Sequence, residues 1–196
     1  MIVDKLNLAC CASGRVTANF VRQGHSIEVI DRSNVITYSA ADTIAKLAAG
    51  LSTAAPSAIG VMYGGEELPS LAHPSLTRDH SWEALAEQAA GVSGNVAIMP
   101  LSLAPSISAV AGGDYAGNTV TFSANTGAVG SSAFSGVDYA GALSTLDPVY
   151  FYQVLLLCGQ PGAYTIFARS TLLSGSVYKS KPDNYELAIQ WAVTFK

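Results

Sequence analysis

The chain has 196 residues, of which 49% are hydrophobic and only 12% charged, with ten Lys and Arg against fourteen Asp and Glu for a net charge of −4. Such length and apolar content fit one folded domain over 1–196 and exclude a disordered chain, while the acidic balance leaves no basic patch to neutralise a run of phosphates and argues against nucleic acid as a partner. The longest apolar stretch, 149–158, is interrupted by Gln153 and falls short of the roughly 20 residues of a membrane-spanning helix, so no membrane association is expected.

In chain order, Val16 to Val21 and Ser26 to Ile30 read as strands joined by the turn Arg22-Gln23-Gly24-His25. Asn34 to Tyr38 is β-prone and leads into a helix, with Ser39 as its cap, Asp42 in its first turn, Ile44 and Leu47 on one face and Gly50 at its end. Ser57 to Tyr63 predicts a strand closed by Gly64-Gly65. Leu68 to Asp79, with Pro69 and Pro74, reads as loop, and Trp82, Leu85 and Ala89 suggest a short helix over 81–90. Asn95 to Leu103 and Asn118 to Ala124 alternate as strands do, with Val120, Phe122 and Ala124 on one face.

The stretch 125–144 is rich in Gly, Ser and Ala and is expected to be an interface loop or arm, anchored on another subunit by Phe134 and Tyr139. Tyr150 to Cys158 and Tyr164 to Arg169 form two further strands around the turn Gly159-Gln160-Pro161-Gly162. The last strand is the clearest: Tyr185, Leu187, Ile189, Trp191, Val193 and Phe195 face one way, and alternate polar or small residues face the other. Phe122, Leu187, Ile189, Trp191, Val193 and Phe195 are the candidate core. Many short strands and one or two short helices predict a mainly β fold, an antiparallel β-sandwich or jelly-roll-like domain.

Chemistry is sparse. The chain carries no phosphate-binding loop, dinucleotide fingerprint, zinc-protease helix, paired C-x-x-C or nucleophile elbow. Ser176-Val177-Tyr178-Lys179 matches S-x-x-K, but Gly175 and Pro182 place it in a loop rather than on the helical turn that would bring amine to hydroxyl. Asp79 beside His80 is better read as a capping residue before Trp82 than as an acid–base pair. His73 and His80 lack the further ligands of a metal site, and Glu66-Glu67 reads as a solvated turn, so neither metal nor cofactor is expected. Cys10, Cys11 and Cys158 make no disulfide framework and are expected as thiols.

The order of segments resembles a group of tailed-bacteriophage virion proteins. The resemblance rests on Asn34-Val35-Ile36-Thr37-Tyr38 before a helix ending near Gly50, Ala58-Ile59-Gly60-Val61-Met62-Tyr63, Asn118-Thr119-Val120-Thr121-Phe122, Phe167-Ala168-Arg169, and the terminal Leu187, Ile189, Trp191, Val193, Phe195 pattern. It implies a β-sandwich found in the virion, made in the host cytoplasm, and assembled in several copies with major capsid, portal or neck, or tail proteins. The low charge agrees, because a soluble monomer ordinarily keeps a well-charged surface. The leading expectation is a non-enzymatic structural protein acting as capsid decoration, neck or collar component, or tail component. A receptor- or glycan-binding module using exposed aromatics is the first alternative, and a small hydrolase using His80 or Ser176 is the second.

Overall fold

The computed structural model describes residues 12–22, 25–51, 53–64, 95–101, 105–108, 118–129, 149–160, 162–171, 177–179 and 185–195. Two antiparallel sheets pack face to face as a β-sandwich. The first sheet runs β2 (His25–Ser33), β1 (Ala12–Arg22), β11 (Tyr185–Phe195), β7 (Thr119–Val129) and β6 (Ser106–Ser108). The second runs β3 (Val35–Ile36), β9 (Thr165–Thr171), β8 (Val149–Cys158), β4 (Pro56–Gly64) and β5 (Asn95–Pro100), with β10 (Val177–Lys179) also paired to β8. The single described helix, α1 (Tyr38–Ala48), lies between β3 and β4 in sequence.

The alternation in β11 does what period-two patterning requires. Leu187, Ile189, Trp191 and Val193 are buried between the sheets with Val16, Ala18, Phe122 and Ala124 of the neighbouring strands, and Phe195 packs at their margin. From the other sheet Ile59, Val61, Tyr63, Val154, Leu156 and Phe167 complete this core.

β8 and β4 do not alternate between buried and exposed: both of their faces are buried. Ala58, Met62, Tyr152, Leu155, Leu157 and Ile166 form a second apolar cluster on the outward side of the second sheet. Of the three register shifts among the described residues of this sheet, two are bulges at buried residues and set which residues look each way. Met62 pairs with Gln153 but Tyr63 with Phe151, so Tyr152 is the extra residue; Leu156 pairs with Ala168 but Leu157 with Ile166, so Phe167 is extra. The second bulge lets Phe167 and Ala168 both enter the inner core.

That bulge also decides where the helix starts. Thr37 donates its backbone N–H to the Phe167 carbonyl (3.1 Å) and its hydroxyl to the Ile166 carbonyl, while its Oγ1 accepts from the Ala40 N–H at 3.2 Å. Thr37, not Ser39, is therefore the N-cap, and Asp42 lies beyond the first turn. A capping hydroxyl here must also reach β9, and Thr37, unlike Ser39, directly follows the two-residue ladder that β3 forms with it. Ala40 and Thr43 are the buried helical residues and Ile44 is partly buried, whereas Leu47 is exposed; Gly50, at φ 68°, follows the last turn in the left-handed conformation expected there.

The chain changes sheets between β2 and β3 within one residue, Asn34, whose N–H bonds to the Gly14 carbonyl (3.1 Å), while the Ser170 hydroxyl donates to the Ser33 carbonyl at 2.7 Å. The turn residues Gln23 and Gly24, the expected helix over 81–90 and the cysteines Cys10 and Cys11 lie outside the described residues. Asn125 to Val129 continue β7 rather than beginning a loop, which shortens the candidate arm to 130–144.

Candidate functional site

Of the residues singled out for chemistry, His73, His80, Asp79, Glu66, Glu67 and Ser176 lie outside the described residues, as do the candidate anchors Phe134 and Tyr139. Among the described residues no group of three or more His, Cys, Asp or Glu side chains could hold a metal ion, and no helix is long and apolar enough to cross a membrane. Three features of the described surface and interior remain.

The first is the outward side of the first sheet. The register aligns Ser13, Arg15, Thr17 and Asn19 of β1 with Thr194, Ala192, Gln190 and Ala188 of β11, and these with Thr119, Thr121, Ser123 and Asn125 of β7. Apart from the buried Thr119, which shares a hydroxyl–hydroxyl bond with Thr194 (3.0 Å), these residues are half-buried or exposed. Arg15 is the one charge among them, and it is matched by Asp31 of β2 through two side-chain hydrogen bonds. The pairing raises the guanidinium pKa and holds the Asp31 carboxyl below its ordinary value. Over these twelve positions the face is thus an array of hydroxyl, amide and methyl groups with its single charge neutralised.

The second is a cleft of 460 Å³ between α1 and the connection from β8 to β9. One wall is the helical stripe Tyr38, Asp42 and Lys46, spaced four residues apart so that the three side chains stack along one side of the helix. Lys46 Nζ lies 2.6 Å from Asp42 Oδ2, and the cation in the last turn also meets the negative end of the helix dipole. The opposite wall is Cys158, Gly159, Ala163 and Thr165. Gly159 is obligatory there: its φ is +106°, and a Cβ would stand 2.6 Å from the Ala163 carbonyl oxygen. Cys158 is a free, buried thiol whose pKa burial pushes up to about 12, so it is a packing residue and not a thiolate nucleophile.

The third is Arg169, buried on the outward face of the second sheet opposite Leu155. Its Nη2 donates to Gln153 Oε1 at 2.9 Å, whereas among the described residues its Nε and Nη1, and the Gln153 Nε2, have no hydrogen-bond partner. Burial lowers the guanidinium pKa, yet an Arg side chain stays charged in a protein. Of the carboxylates with described side chains, Asp31 is engaged with Arg15 and Asp42 with Lys46. Sequence reading ended a strand at Arg169 and missed this; the signal was the apolar run of the adjoining β8, broken only by Gln153, which marks a sheet covered on both sides.

No family model, curated protein or solved structure matches the chain.

Proposed function

We propose that this is a non-enzymatic structural protein that works as an assembly of several copies, joined through the open face of its first sheet. The observation that carries the reading is the composition of that face: at the twelve positions that the register aligns across β1, β11 and β7 only Arg15 is charged, and Asp31 already answers it. Such a surface meets no like-charge repulsion from a copy of itself, and its hydroxyls and amides can both donate and accept across a two-fold contact. β2 adds a second possibility, since among the described residues this nine-residue edge strand pairs only with β1 and keeps one backbone edge for another chain.

The segment order, which resembles that of tailed-bacteriophage virion proteins, supports placing these copies in a virion, as capsid decoration, neck or collar component, or tail component beside other virion proteins. Phe134 and Tyr139 of the 130–144 segment are further candidate contacts in that setting. Sedimentation at micromolar concentration tests the interface directly. Wild type is expected to sediment as an oligomer, and Thr121→Lys with Gln190→Lys is expected to sediment as a monomer with an unchanged melting temperature. A wild type that stays monomeric, or an oligomer indifferent to both lysines, overturns the proposal.

A further inference from the structure

We infer that the cleft between α1 and the β8–β9 connection is a binding site for a neutral saccharide unit. Its 460 Å³ lies within the roughly 300–1,000 Å³ of small-molecule sites, large enough for a sugar ring and its substituents. The side chains that line it supply what a pyranose needs and a charged ligand does not. Tyr38 lines the cleft with 61% of its surface exposed, so an aromatic ring is available there for a sugar ring to stack on.

Below Tyr38, Asp42 and Lys46 hold each other at 2.6 Å and remain 62% and 45% exposed, so each keeps hydrogen-bonding capacity turned to solvent. A carboxylate accepts at two oxygens and an ammonium carries three donors, so a side-by-side pair matches a vicinal diol: one hydroxyl donates to Asp42 while its neighbour accepts from Lys46. The same pairing leaves these two groups with no net charge. An anionic ligand drawn to Lys46 must also approach Asp42, and a cation drawn to Asp42 must approach Lys46, which disfavours both. Ser39, Thr53 and Thr165 add hydroxyls that act as donor or acceptor. This site lies on α1 and the second sheet, apart from the open face of the first sheet, so assembly and ligand binding are separable.

Isotope-labelled protein titrated with methyl glucoside, methyl mannoside, methyl galactoside and N-acetylglucosamine, followed by amide shifts, tests the assignment. At least one sugar is expected to move the amides of α1 and of 159–165 with a millimolar dissociation constant, and to do so more strongly than sodium phosphate or acetate. Tyr38→Ala and Asp42→Asn should each weaken that binding by about tenfold or more while melting temperature holds, and Leu51→Ala, an exposed apolar residue outside the cleft, should leave it unchanged. Absence of shifts with all of these sugars, shifts mapping to other elements, a larger response to phosphate, or binding that survives Tyr38→Ala overturns the inference. Because the readout is local to α1 and the β8–β9 connection, it is independent of whether the protein sediments as an oligomer.

Discussion

The buried Arg169 gives the sharpest quantitative test of how the second sheet is held together. Among the described residues its guanidinium has one acceptor, Gln153 Oε1 at 2.9 Å, and two nitrogens without any. Gln153→Leu removes that acceptor, fills much of the same volume and leaves a buried cation with no acceptor among the described residues. The expected loss is about 3–5 kcal/mol, the range for breaking a buried charge's partnership, and it exceeds the 1.5–3 kcal/mol or so of one charge-assisted bond. Arg169→Met acts in the opposite direction. It removes the desolvated charge and keeps an unbranched apolar stem beside Leu155, at the cost of leaving the Gln153 amide unpaired; net stability is expected to stay within about 1 kcal/mol of wild type or to rise. The double variant Gln153→Leu/Arg169→Met, apolar at both positions, should recover most of what Gln153→Leu loses. Urea unfolding with the slope held constant across the four proteins measures the cycle. If Arg169→Met costs as much as Gln153→Leu, the guanidinium has an anionic partner and the reasoning fails.

Three further outcomes follow from single positions. Gly159→Ala should destabilise by about 2 kcal/mol or more, since φ +106° disfavours any Cβ and the Ala163 carbonyl blocks its place; an unchanged melting temperature would mean the connection has another conformation. Trp191→Ala should cost about 3–5 kcal/mol by opening a cavity between the sheets, whereas Trp191→Phe should cost far less, because it also removes a buried indole N–H that has no acceptor among the described residues; equal losses by chemical unfolding would refute that account. Cys158 and Tyr63 both titrate near 12 in the folded protein, against ordinary values of 9.0 and 10.0, because burial disfavours their anions. The folded state therefore binds more protons than the unfolded one above about pH 9, and stability should fall steadily as pH rises from there toward 12. Urea midpoints across that range measure it, and Cys158→Ala should flatten the slope; a pH-independent midpoint would refute the burial of both groups.

How much of this was legible in the sequence depended on whether the signal was local. β11 could be read residue by residue because one face is buried and the other open, so Leu187, Ile189, Trp191 and Val193 recur every second position. β8 could be recognised as buried but not oriented. The bulges at Tyr152 and Phe167 are pairing irregularities between strands distant in sequence, and no pattern within 149–158 or 165–171 announces them. The cap shows the same limit at smaller scale: Thr37 and Ser39 carry equivalent hydroxyls two positions apart, and the choice between them belongs to carbonyls on β9.

The cleft carries this logic into function. Asp42 and Lys46 are four residues apart on one helix, and their pairing can be foreseen from spacing alone. Their apposition to Gly159 and Thr165 cannot, since it depends on Thr37 anchoring the start of α1 to β9 and on Ser57 holding the β8–β9 connection through the Gly159 carbonyl at 2.6 Å. Those two hydroxyls fix the separation of the cleft walls from opposite sides. The geometry of the cleft is consequently a property of the sheet ends, set by hydrogen bonds between segments more than a hundred residues apart, which no local pattern around Asp42 and Lys46 announces.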